Sequence, residues 1–390
     1  MRVLVVGFAQ SIHVARWLSN LDGTGWDVHF VPVAFNHGPP DSIGQDFAGL
    51  TVWDLGDALR SVPGRDILVR RVSRMRHWLT ARRTNPAETL AAIIREVRPD
   101  VLHSMEFQHC GYLADRAMRL LAPGERPPWL VSNYGSDISL FGRLPEHQPR
   151  IRSMLAMADV MHCECARDVE LGRAFGFRGQ EAPLISMGGG WDLDALQVHR
   201  MPGPASTRRT IALKGYEHFA GRAGVAVEAL RRCGRRLAGY RLELYAAFDS
   251  VLDQAQTLAE DTGLDISVSR YNLPYEEVLA MHGRARCSIG LSLSDGTSVA
   301  FLEAMAMGAF PVQSWTNCGN EWIEDGVSGL LVPPEDPDPV AAAILRAVTD
   351  DALVDRAAIL NEATIRERLE WRMVQRQIED LYRDVAALRR

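Results

Sequence analysis

Residues 292–334, SLSDGTSVAFLEAMAMGAFPVQSWTNCGNEWIEDGVSGLLVPP, carry the reading that decides the fold. The run CSIGLSLS that leads into them has the short apolar character of a buried strand, and it stops at the turn pair Asp295 and Gly296. A helix is expected to begin at Thr297 or Ser298, where a hydroxyl can cap free backbone amides. Strand, tight turn and helix N-terminus together make an anion site, because unsatisfied N–H groups converge there. Glu303 follows Asp295 by eight positions, about two helical turns, so one carboxylate marks the turn and the other lies along the helix. The pair suits a ligand with two polar ends.

With EAMAMGAFPV and EWIEDGVSGLLVPPEDP completing it, the stretch resembles the donor-binding half of retaining GT-B glycosyltransferases, glycosyltransferase family 4 in particular. The resemblance is dense over the last third of the chain and diffuse before it. It implies an α/β protein of two doubly wound, Rossmann-like domains facing a central cleft. Carried over by position, Asp295 would face the donor sugar's hydroxyls, the amides of Gly296, Thr297 and Ser298 would hold sugar and phosphate, and Glu303 would bind the ribose hydroxyls. The family's first acid is usually Glu; Asp295 keeps the charge but sets it back by one methylene.

Outward from this stretch, apolar runs at 3–6, 28–33, 50–53, 101–105, 129–133, 160–163 and 184–187 alternate with amphipathic segments such as 86–97. That is the rhythm of a parallel sheet with helical crossovers. After the Gly- and Pro-rich MGGGWDLDALQVHRMPGPAS it restarts at 210–213, 242–246, 266–269, 287–292 and 310–313, so a hinge is expected near Gly203. A chain of 390 residues is too long for one ordinary core. We expect an acceptor-binding domain over 1–200 and a donor-binding domain over 201–370, with a helix over about 371–390 that, as the resemblance implies, packs back on the first.

Doubly wound domains bind ligands at the carboxyl ends of their strands. The run TIALKG that opens the second half ends in Lys214, the only lysine in a chain otherwise furnished with arginine. Either it is a surface residue, or this position asks for a compact ammonium. The family grips the diphosphate with an Arg at this strand end and a Lys some residues later; here the order is swapped, Lys214 first and Arg222, in YEHFAGRAG, second. The implied reaction breaks the C1–phosphate bond of a nucleoside diphosphate sugar, UDP-sugar favoured over GDP-sugar, through an oxocarbenium-like state. Cations and helix-terminal amides meet the charge growing on the phosphate. In the family the leaving phosphate takes the acceptor's proton on the same face, so configuration is retained with no obligatory protein nucleophile, metal or cofactor. Asp295 is then a binder rather than a general base. Asp192 and Asp194 spell D-x-D, but helix capping is the better reading.

The first half is expected to hold the acceptor. The turn from Gly7 to Ser11 lacks the G-x-G-x-x-G spacing of dinucleotide sites, which argues against NAD. In the GT-B family this turn faces the cleft, which assigns Gly7 to the donor and Gln10 and Ser11 to the acceptor. In DVLHSMEFQHCGYLA the family's sugar-contacting His falls on Met105, so Glu106 or His109 takes the place, unless both are structural. Asn133 and Asp137 stand at the next strand end, as acceptor contacts or as turn formers. Backbone groups near Tyr271 would read the nucleobase.

A net charge of −6 offers no global field for nucleic acid. The six cysteines lack the C-x-x-C spacing of zinc or redox sites and are expected as buried thiols. The N-terminal apolar run is too short for a signal peptide, and no segment approaches the ~20 apolar residues of a bilayer span, so a cytoplasmic protein is expected. Between Arg65 and Arg83, ILVRRVSRMRHWLTARR is either a solvated helix or a peripheral contact with an anionic inner-membrane face. The partners implied are a nucleotide-sugar donor and a small-molecule or lipid-linked hydroxyl acceptor. The alternatives are a sugar-nucleotide binding protein or a GT-B relative that epimerises its donor.

Overall fold

The computed structural model describes residues 1–9, 11–33, 50–54, 68–71, 85–269 and 273–388. They form two units, Met1–Gly190 with the C-terminal stretch from Arg372, and Trp191–Trp371. Gly203 lies inside the second unit, and the chain changes unit ten or more residues earlier. The reason is a pairing of the two crossing segments: the Trp191 amide donates to Leu369, and the Trp371 amide donates to the Trp191 carbonyl.

The first unit carries eight strands, β1 (Arg2–Phe8), β2 (Asp27–Val33), β3 (Thr51–Asp54), β4 (Leu68–Arg71), β5 (Val101–Met105), β6 (Trp129–Ser132), β7 (Val160–His162) and β8 (Gln180–Glu181). They pair in the order β4-β3-β2-β1-β5-β6-β7-β8, every pairing parallel. Val3 to Val6 of β1 are all fully buried, as a strand covered on both faces requires. The helix Pro86–Val97 shows how sequence fixes a crossover. Asn85 caps the Ala87 amide, Pro86 opens the first turn, and Leu90, Ile93, Ile94 and Val97 face the core. Two expectations fail here. Residues 184–187 are not a strand; the last one is Gln180–Glu181, polar and at the sheet edge, where alternation gives no signal. Leu68–Arg71, inside the supposed basic helix, is strand β4 beside β3; the remainder of 65–83 lies outside the described residues.

The second unit has six strands, β9 (Thr210–Lys214), β10 (Arg241–Tyr245), β11 (Asp265–Val268), β12 (Ala285–Gly290), β13 (Phe310–Ser314) and β14 (Leu330–Val332), paired in parallel as β11-β10-β9-β12-β13-β14. Both sheets reverse winding once, between β1 and β5 and between β9 and β12. At such a point consecutive loops diverge to opposite faces and open a crevice at the strands' carboxyl ends. Cys110, Cys163, Cys233 and Cys287 are free and buried. No helix among the described residues is long and apolar enough to cross a membrane.

Candidate active site

At the second unit's switch point β9 ends in Lys214 and β12 in Gly290, and the loops that follow are laid against each other. The Arg222 amide donates to the Leu291 carbonyl (3.0 Å), the Leu293 amide donates to Ala220 (2.8 Å), and Gly221 bridges Ser292. A Cβ on Gly221 would stand 2.3 Å from the Tyr216 carbonyl oxygen, so only glycine permits this fold-back. On the other side the Ser292 amide donates to Ser314 Oγ (3.0 Å) and its carbonyl accepts from the Thr316 hydroxyl. Asp295 is thereby carried to the side of the 215–222 loop.

The Lys214 ammonium lies 4.1 Å above the Tyr216 ring, and no carboxylate among the described residues pairs with it. Arg222 donates to the carbonyls of Gly221 (2.7 Å) and His218 (3.2 Å), with Glu335 3.9 Å away. Between the two cations stands His218, whose Nδ1 accepts the amide hydrogens of Ala220 (3.1 Å) and Gly221 (3.3 Å). Burial lowers its pKa, Lys214 lowers it further, Asp295 opposes and Arg222 adds. The imidazole therefore sits in the field of three residues that the sequence singled out. Glu303 is buried in the helix Val299–Ala306 and, after burial itself, is the main influence raising the phenol of Tyr245. Tyr245 is the strand partner of Lys214. Lys214, Arg222, Asp295 and Glu303 are thus gathered at the ends of adjacent strands in one unit.

The turn itself differs in detail from its expected form. Asp295 Oδ1 accepts the Gly296 amide (2.9 Å), so that N–H is already engaged. Thr297 turns its hydroxyl to the Trp322 indole N–H (3.1 Å), and Trp322 is covered by the Arg368 guanidinium at 3.5 Å. Ser298 occupies the N-cap position of Val299–Ala306, but no hydroxyl caps that terminus. The positive end of the helix is left to whatever anion approaches it. By contrast the helix Ala223–Cys233 has its Gly224 amide closed by Glu217 (2.7 Å).

In the first unit the expected residues are mostly spent on internal bonds. Gly7 admits the helix Ile12–Ser19 closely, since a Cβ there would meet Val14 at 3.0 Å, and Ser11 caps that helix at the Val14 amide. Gln10 lies outside the described residues, as does Tyr271. Asn133 donates to Asp168 (2.8 Å), and Asp137 accepts the amides of Phe107 and Tyr134, its pKa raised by burial and then by Glu106. Asp192 caps the Ala195 amide, the structural reading of D-x-D.

Glu106 follows β5 with φ 89°, a conformation unusual for a residue with a Cβ. Its carboxylate accepts the amides of Gln108, His109 and Cys110 at 2.7, 2.7 and 3.0 Å, capping the π-helical turn Phe107–Gly111. It also accepts from His109 Nδ1 (3.1 Å), which raises the pKa of that half-exposed imidazole. His109 meets the edge of Phe8 at 5.3 Å, so it stands at the switch point of its own sheet. Glu106→Ala would keep the strained backbone and drop the cap, and we expect a loss of about 2 kcal/mol. Urea unfolding of Glu106→Ala beside Glu106→Gln checks this, since Gln keeps an acceptor oxygen and should lose less.

Sequence reasoning passed over Tyr216, His218 and Tyr245. For His218 a signal existed: it stands midway between the two cations in KGYEHFAGR. The aromatic pair gives none, because a strand-end tyrosine reads equally well as core.

Comparison with known proteins matches this geometry. Residues 2–164 match the family model described as glycosyl transferase 4-like, and residues 225–350 match glycosyl transferases group 1. The chain belongs to the family 4-like glycosyltransferases. Among curated relatives of this glycosyltransferase is the phosphatidyl-myo-inositol mannosyltransferase of Mycolicibacterium smegmatis, 36% identical over 89 residues, a match that covers 23% of this chain and 22% of that protein. Among solved structures, sucrose-phosphate synthase from Thermosynechococcus elongatus superposes with TM-score 0.71 at 16% identity, covering 99% of both chains. The Anabaena protein HepE in complex with UDP and glucose gives 0.68 at 13%, covering 98% of this chain and all of that one. These neighbours establish the GT-B fold.

Proposed function

We propose that this glycosyltransferase moves a sugar from a nucleoside diphosphate sugar, UDP-sugar first and GDP-sugar second, to a hydroxyl acceptor with retention of configuration. The observation that carries the reading is the convergence of Lys214, Arg222 and Asp295 on His218 at the β9/β12 switch point. A diphosphate laid there meets the ammonium, the guanidinium and the uncapped helix terminus at Val299. Asp295 then receives sugar hydroxyls and Glu303 the ribose. Charge developing on the departing phosphate falls where positive groups are already fixed, and no metal is needed to balance it. HepE, crystallised with UDP and glucose, supports this choice of donor class. The name of the mycobacterial relative supports a lipid-linked hydroxyl as one acceptor class.

A second reading draws on the folded-back Asp295. Because its Oδ1 is held by the Gly296 amide, a shorter acid could bind a sugar nucleotide yet turn it over slowly. One experiment separates the two: calorimetric titration of UDP-, GDP- and ADP-sugars, paired with an assay of nucleotide release with and without acceptor alcohols. Acceptor-dependent release of one nucleotide is the result expected of a transferase. Tight binding with no release would favour the binding module, and no binding at all would remove both.

A further inference from the structure

We infer that His218 is a third hydrogen-bond donor to the diphosphate, acting through its Nε2–H beside Lys214 and Arg222. The inference rests on the sugar-nucleotide reading above and adds to it a residue that the acidic pair and the two cations do not include.

The tautomer follows from donor rules. A backbone amide can only donate, so Nδ1, which receives the amides of Ala220 and Gly221, has its lone pair occupied and carries no hydrogen. The neutral ring must then hold its proton on Nε2. No described residue accepts from that nitrogen, and the side chain is only partly buried. The two amides are thus consumed by the ring, and the ring passes one donor onward from its far side.

Position follows from the stitching of the two loops. Residue 218 lies between Gly215, bonded through its amide to Tyr245, and Gly221, bridged to Ser292. Its ring is wedged among Tyr216 (5.3 Å), Phe219 (4.9 Å) and Phe248 (5.5 Å), which fix its plane. Lys214 and Arg222 lie on either side in sequence; the loop backbone at 220–222 is bonded to residues 291–293, and the imidazole feels the charge of Asp295 that follows them. A ring held neutral by burial and by two neighbouring cations suits an anion in one respect: it donates without adding a charge that the cations would repel. With Nε2 protonated it is a donor and not a general base.

The two nitrogens can be tested separately. In His218→Asn the side-chain oxygen falls near Nδ1 and can still accept the loop amides, while the Nε2 donor is gone. His218→Gln places an amide N–H near Nε2. Wild type and both variants are titrated with UDP, GDP and ADP, and with the nucleoside of whichever diphosphate binds. We expect His218→Asn to weaken the diphosphate by about tenfold or more, as befits one bond to a charged group, and to leave the nucleoside unchanged. His218→Gln should stay within about threefold of wild type. Equal diphosphate affinity in His218→Asn would overturn the assignment, as would an equal loss for nucleoside and diphosphate, which reports loop collapse. If wild type binds none of the three diphosphates, the underlying sugar-nucleotide reading fails instead, a result distinct from either.

Discussion

Lys214→Ala is expected to lower kcat/KM for sugar transfer by about 10²-fold or more, with the melting temperature close to that of wild type. The reasoning begins with what holds the side chain. Its ammonium rests on the Tyr216 ring and pairs with no carboxylate among the described residues, so removing it breaks no ion pair and opens no cavity in the core. A strand-end backbone that already pairs with Tyr245 tolerates alanine. The loss is therefore in the transition state, where a fixed positive charge meets an oxygen becoming more negative, and a fixed charge gains most where the ligand's own charge changes most. A second readout tests location independently of activity. Burial first, and Lys214 after it, depress the pKa of both His218 and the fully buried His282, the latter pushed down to about 3. In Lys214→Ala both should titrate higher by NMR. Unchanged kcat/KM in an active enzyme would remove Lys214 from the chemistry even if the histidines moved.

Why Lys214 stands out in the sequence, while His218 shows only its place between two cations and not its role, is a matter of physical uniqueness. A single lysine among arginines stands out in the sequence, and the strand–turn–helix pattern around Asp295 puts a second marker on the same sheet. The parallel rhythm follows from unbroken apolar runs such as VLVV, because strands buried on both faces have no polar alternation to disguise them. β8 and β4 escaped for the converse reason: Gln180–Glu181 at an edge and the Arg-flanked Leu68–Arg71 lack that signature. The site's finer features depend on tertiary hydrogen bonding that no local pattern encodes. Ser298 sits where a capping hydroxyl belongs and does not cap. Thr297 faces Trp322, 25 residues later, and Glu106 closes a π-turn from a positive φ. His218 acquires its tautomer from two amides whose direction is set by a bridge to Ser292, more than 70 residues away in sequence.

Acidification from pH 6.5 to about 4 is expected to remove on the order of 3 kcal/mol of the first unit's stability through His162 alone, with His103 adding to it. The two imidazoles belong to a buried chain whose proton order is forced. The Ile185 carbonyl can only accept, so His162 Nε2 holds a hydrogen (2.8 Å), and His162 Nδ1 must accept from Ser132 Oγ (2.9 Å). Ser132, its hydrogen spent, accepts from His103 Nε2 (2.7 Å), which leaves His103 Nδ1 to accept the Tyr382 hydroxyl (2.6 Å). Tyr382 in turn receives the Trp17 indole N–H (3.1 Å). Every member is satisfied only while both rings are neutral, and a further proton on either would point two donors at each other. Burial pushes His162 down to about 4, partly offset by the Ile185 carbonyl, and burial followed by His162 pushes His103 well below its ordinary value. The folded pKa values lie below the unfolded value near 6.5, so the unfolded chain takes up protons first as pH falls. Stability is then full above about 6.5 and drains through the window down to about 4. Asp137, whose pKa is raised by burial, works in the opposite sense, so the measurement must be a difference. His162→Gln keeps a donor for Ile185 and cannot titrate; its melting temperature should sit below wild type at pH 8 and close the gap as pH falls toward 4.5. A gap that stays constant across that range, or an NMR titration placing His162 near 6.5, would show that the buried chain tolerates the extra proton and that the network does not set the acid limit.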